Sequence, residues 1–135
     1  MTDLDQPEFA TAVLPVLRLT FPGEISAIRG LRPVLRSFLG SCPVADDAVQ
    51  LAWELAANAC AHSNSGLSGG QVTLAAAQAP DYISVAVQDD GSDWDGNLSA
   101  AVNPHGLYLL RSLATECASI GGPNARTVWF NIATR

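Results

Sequence analysis

The strongest constraint on the fold is a pair of alternating apolar runs, Gln71 to Ala77 and Tyr82 to Asp89, joined through Ala79-Pro80-Asp81. Period-2 alternation closed by a Pro-Asp turn reads as an antiparallel β-hairpin. Two helical patterns come before the hairpin with no strand between them, so strict βαβ alternation is absent. That order predicts an α+β sandwich with helices on one face of a mixed, mostly antiparallel sheet.

The rest of the order follows from periodicity. Val13 to Phe21 reads as a first strand, stopped by Pro22-Gly23. Ile25, Ile28, Leu31, Val34/Leu35 and Phe38 recur at three- and four-residue intervals, which predicts a helix ending near Gly40. Pro33 inside it predicts a kink or a later helix start. A second helix is expected from Pro43 to about Ser63, with Asp46 and Asp47 in its first turn and Ala48, Leu51, Ala52, Leu55 and Ala59 as its apolar stripe. Asp90 to Pro104 has no periodicity and is rich in Asp, Asn, Ser and Gly, the signature of a functional loop or lid. A third helix is expected from Gly106 to about Cys117 and a last strand from Arg126 to Ala133, after the Gly121-Gly122-Pro123-Asn124 turn.

A chain of 135 residues suits one domain. Residues 1 to 11 read as a frayed polar tail and 12 to 135 as the folded unit. Thirteen acidic residues against seven basic ones give a net charge of −6, which repels a phosphate backbone and argues against a nucleic-acid partner. All seven basic residues are Arg. Without Lys there is no Walker A loop, no Schiff-base chemistry and no eukaryotic-type kinase site. The three cysteines, Cys42, Cys60 and Cys117, are widely spaced and lack a CxxC pair, so they read as small apolar side chains in a reducing compartment. No stretch approaches the roughly 20 apolar residues of a membrane span, and Met1 to Glu8 is acidic where a signal peptide is basic, so a cytoplasmic location is expected.

Three places carry candidate chemistry. Glu54, Asn58 and His62 stand at i, i+4 and i+8 of the second helix, which aims a carboxylate, an amide and an imidazole the same way. A solvated helix face gives the same spacing. In the strand ending at Asp89, the alternation that turns Ile83, Val85 and Val87 inward also turns Asp89 inward, toward either turn amides or the donor groups of a ligand. Gly91 lets the backbone turn sharply or approach a ligand. At Pro104-His105-Gly106-Leu107 the long loop gives way to a helix, whose free N–H groups suit an anion.

Taken in order, these segments resemble the boxes of the GHKL, or histidine-kinase-like, ATPases, and especially the small bacterial anti-sigma factor serine kinases. Glu54-Leu55-Ala56-Ala57-Asn58-Ala59-Cys60-Ala61-His62-Ser63 resembles their N box, Val87-Gln88-Asp89-Asp90-Gly91 their first glycine box, His105-Gly106-Leu107-Tyr108-Leu109-Leu110 their second, and Thr127-Val128-Trp129-Phe130 their final strand. The resemblance implies an ATP- and Mg²⁺-binding domain. It implies Glu54 as general base toward an accepting hydroxyl or water, Asn58 as Mg²⁺ ligand, and His62 among the nucleotide-binding residues. Asp89 would accept the adenine amino group, with Gly91 close to the base and Thr127 supporting Asp89 or a bridging water. His105, Gly106 and Leu107 would lie at the phosphates, with residues 92 to 104 as the lid.

The implied partners are an anti-sigma-factor antagonist of the STAS type, a sigma factor, or both, and dimerisation is common in the family. Two positions depart from the pattern: Asp93 stands where the first box has its second glycine, and Pro104 where the second box has its leading one. Those departures keep open a module that sequesters its partner without catalysis. Arg29, Arg32 and Arg36 form a basic strip that fits either an acidic partner or solvent.

Overall fold

A computed structural model describes residues 15–94, 96, 98 and 108–134. Its elements are β1 (Val16–Pro22), α1 (Ile25–Ile28), α2 (Leu31–Leu39), α3 (Ala45–His62), β2 (Gln71–Gln78), β3 (Tyr82–Asp89), α4 (Tyr108–Leu113), β4 (Glu116–Gly121) and β5 (Arg126–Ala133), with a 3-10 turn at Asn64–Gly66 after α3. The five strands form one sheet in the order β1-β2-β3-β5-β4, and every pairing among the described residues is antiparallel. The expected tail at residues 1 to 11 lies outside the described residues, as do Pro104, His105, Gly106 and Leu107.

The α+β sandwich forms as the alternation demands. Val72, Leu74 and Ala76 on β2, Ile83, Val85 and Val87 on β3, and Val128, Phe130 and Ile132 on β5 turn one way and join Leu51, Leu55 and Ala59 of α3 in a single core. Ala48, Leu51, Ala52, Leu55 and Ala59 are all buried, so the α3 stripe is the one read from the sequence. Small Ala residues on that stripe let the helix lie close on the sheet, and Asp46 and Asp47 sit in its first turn, where the helix dipole favours them.

Two expectations are corrected. The first helical pattern is divided into α1 and α2 at Arg29-Gly30, where the ring of Phe21 lies 3.8 Å from the place a Gly30 Cβ would occupy. Pro33 therefore falls in the first turn of α2, where its missing N–H has no intrahelical acceptor to lose, and the helix starts late instead of kinking. The third helix ends at Leu113 and not near Cys117: Glu116–Gly121 is an edge strand paired with Asn131 to Arg126 of β5. Thr115 N–H donates to the Asn131 carbonyl at 2.8 Å and continues that pairing.

Candidate functional site

The Asp89 turn is held by the segment that caps α3. Ser65 is 1% exposed; its hydroxyl donates to the Gln71 carbonyl at 2.7 Å and accepts the Asp90 N–H at 2.8 Å. Asn64 N–H donates to the Gly91 carbonyl at 2.8 Å, and its side-chain amide donates to the Pro123 carbonyl at 3.2 Å. Gln71 N–H donates to the Asp90 carboxylate at 2.9 Å. Gly91 itself sits at φ +85°, and a Cβ there would collide with the Pro123 carbonyl. The glycine is thus required twice, by its backbone conformation and by space.

With the turn fixed, Asp89 aims its carboxylate at α3. Asn58, His62, Asp89, Ser92 and Trp94 line one pocket with an apolar floor that includes Leu55, Val87 and Val128. Asp89 accepts the Gly91 N–H at 2.7 Å. Burial pushes its carboxyl above the usual carboxylate range, against the Gly91 hydrogen bond and the Arg126 guanidinium, which favour the charged form. A half-desolvated acceptor over an apolar floor is suited to the N–H edge of a planar base.

Glu54 holds its place on the same helical stripe, one turn before Asn58, but does not line that pocket. Its carboxylate accepts the Gln50 amide at 3.0 Å, and Arg32, stacked 5.3 Å above the Trp53 ring, reaches Gln50 at 3.5 Å. Of the α3 candidates, the structure therefore brings Asn58 and His62 into one pocket with Asp89 and leaves Glu54 outside it.

Thr127 does not face Asp89. Its register partner is Gln88, whereas Asp89 stands opposite Arg126. Because neighbouring strand residues point to opposite faces, and Val128 and Asp89 line the pocket, Thr127 turns to the far face and Arg126 to the pocket side. Arg126 is only 5% exposed and donates to Ser119 Oγ at 2.7 Å and to the Trp94 carbonyl at 2.8 Å. Its guanidinium also lies 5.0 Å from the Trp94 ring centroid. Sequence reading missed Arg126, Trp94, Ser65 and Asn64; counting the β5 alternation back from Val128 would have found Arg126.

No group of three or more His, Cys, Asp or Glu able to hold a metal occurs among the described residues. A Mg²⁺ ion bound mainly by phosphates and water needs few protein oxygens, so the Asn58 carbonyl fits as a single ligand. The cysteines are free, and burial pushes the Cys60 and Cys117 thiols up, which makes poor nucleophiles of both. No helix of the described residues is long and apolar enough to cross a membrane.

Residues 21–132 match the profile of the histidine kinase-like ATPase domain. No curated protein matches the chain.

Proposed function

The chain belongs to the histidine kinase-like ATPase domain family, and from that premise we propose that it is an ATP-dependent serine/threonine kinase of the anti-sigma factor type, acting on a small antagonist protein. Membership supports ATP binding in a regulatory protein; the kinase activity and the partner are the further step. The observation that carries it is that Asn58 and His62 line one pocket with Asp89, with Glu54 one turn before Asn58 on the same helix.

Asp89 accepts the amino group of the base, and Leu55, Val87 and Val128 cover its faces and exclude water. Asn58 offers its side-chain carbonyl to Mg²⁺. ATP and its metal supply the phosphoryl group and the charge compensation. Glu54, half-buried one turn before Asn58, takes the proton of the accepting hydroxyl, and Gln50 donates to its carboxylate. The reading is tested by incubating the protein with Mg²⁺-ATP and a STAS-type antagonist: phosphate appears on the antagonist, and Glu54→Gln abolishes transfer while keeping nucleotide binding.

A second reading is a module that sequesters a sigma factor or antagonist without transfer. Asp93 favours it, because it lines the groove outside the pocket and places a negative charge on the route of the phosphates. In that case Glu54→Gln leaves partner binding unchanged and no phosphate moves in either protein.

A further inference from the structure

Trp94 is the large side chain of the pocket that belongs to no helix or strand. It stands between two spaces: the inner pocket, about 30 Å³, and an outer groove of about 530 Å³ that shares His62, Ser63, Ser92 and Trp94 with it. Ligand pockets begin near roughly 300 Å³, so a nucleotide seated at the inner pocket extends into the outer groove and passes Trp94. Leu55, Asn58, Ala59, His62, Val87, Asp89 and Val128 stand on α3 and the sheet, so the walls outside helix and strand are Ser63, Ser92 and Trp94, of which Trp94 is the one large apolar side chain.

Two further observations concern the same side chain. Its indole Nε1 is buried and meets no acceptor among the described residues, although a buried N–H without a partner is costly enough that native proteins rarely keep one. Its backbone, in contrast, is anchored: Arg126 donates to the Trp94 carbonyl and stacks on the ring, and Trp94 N–H donates to Ser92 Oγ at 3.2 Å. A residue tied down by its main chain, with an unspent donor on a side chain that lines the same pocket as Asp89, is built to meet something that brings its own acceptor.

We propose that Trp94 is a base-contact residue of the nucleotide pocket, held by Arg126, which offers its indole N–H to a ring nitrogen of the base while Asp89 accepts from the exocyclic amine. Adenine presents that pairing, an amino donor flanked by ring-nitrogen acceptors. The proposal rests on the nucleotide-binding reading above and adds to it a second recognition group supplied by the loop.

The test is calorimetric binding of Mg²⁺-ATP and of its 1-deaza and 7-deaza analogues to the wild type, Trp94→Phe and Asp89→Asn. Phe keeps the ring on Arg126 and removes only the N–H. The expected result is a five- to tenfold weaker Kd for ATP in Trp94→Phe. One of the two analogues should be weakened by a similar factor in the wild type and by no factor relative to ATP in Trp94→Phe. Equal ATP affinity in the wild type and Trp94→Phe, with Asp89→Asn still abolishing binding, overturns the Trp94 assignment and leaves the nucleotide reading intact. Absence of ATP binding in the wild type overturns both. A thermal melt of each variant confirms that it is folded, and loss of the ATP-induced change in tryptophan emission in Trp94→Phe supports the contact independently of affinity.

Discussion

Asp89 and Arg126 stand directly opposite each other on β3 and β5, both turned toward the helices, yet the hydrogen bonds of Arg126 go to Ser119 and the Trp94 carbonyl. The carboxylate keeps its acceptor capacity for a ligand, and the arginine supplies charge at a distance while fixing the pocket wall.

That arrangement holds the Asp89 carboxylate at a cost in stability. Burial is the largest influence on its carboxyl and raises its pKa in the folded chain above the unfolded value of about 3.9. The folded state then binds more protons than the unfolded state across that interval, so stability is lost as pH rises through the folded pKa. Asp89→Asn, which retains an acceptor for the Gly91 N–H, should have the higher Tm at pH 7. The difference should shrink as pH falls through the interval and disappear below about pH 3.9. Melts of both proteins between pH 3 and 8 check the sign.

Ser65→Ala tests the clamp on the Asp89 turn. The substitution removes two hydrogen bonds made by the buried Ser65 hydroxyl, to the Gln71 carbonyl and from the Asp90 N–H, and at about 0.5–1.5 kcal/mol for each should show in denaturant unfolding. ATP affinity should fall as well, because the turn carries Asp89.

Gly91→Ala meets both a left-handed backbone at φ +85° and the Pro123 carbonyl. A loss of at least about 1–3 kcal/mol is expected, the range for a strained residue. Urea unfolding measures it.

Glu54→Gln separates catalysis from binding. It keeps a side chain of the same shape beside Gln50, so the free energy of unfolding should change by only about 0.5 kcal/mol. Phosphate transfer to the antagonist should fall by a factor on the order of 10²–10⁴, the usual contribution of a general base.

The sheet and the long helix were legible because their periodicities are clean: α3 repeats its apolar stripe every three or four residues, and β2, β3 and β5 alternate inward-facing apolar residues. Strand β4 was hidden because it lies at the sheet edge. Glu116-Cys117-Ala118-Ser119-Ile120-Gly121 buries no residue fully and exposes Ile120, so no alternation marks it, and Gly121 reads as a turn. The α3 half of the candidate site was visible for the same reason as the helix, since i, i+4 spacing fixes direction. The loop half was not: Ser65 sits in a Ser- and Gly-rich stretch that reads as any turn, and the contact between Trp94 and Arg126 joins residues 32 positions apart. Thr127 was assigned to the pocket by motif, and the β5 register gives its place to Arg126.

The central claim is that this pocket binds a nucleotide with its metal through Asn58 and Asp89. The measurement that tests it most directly is thermal unfolding of the wild type and Asn58→Ala with and without millimolar Mg²⁺-ATP. Ligand at about 100 times Kd stabilises by roughly 2.7 kcal/mol, several degrees for a domain of this length. The account predicts that shift in the wild type and its loss in Asn58→Ala or on replacing Mg²⁺ with chelator. An unchanged Tm in the wild type at saturating nucleotide, or an equal shift in Asn58→Ala, would contradict it.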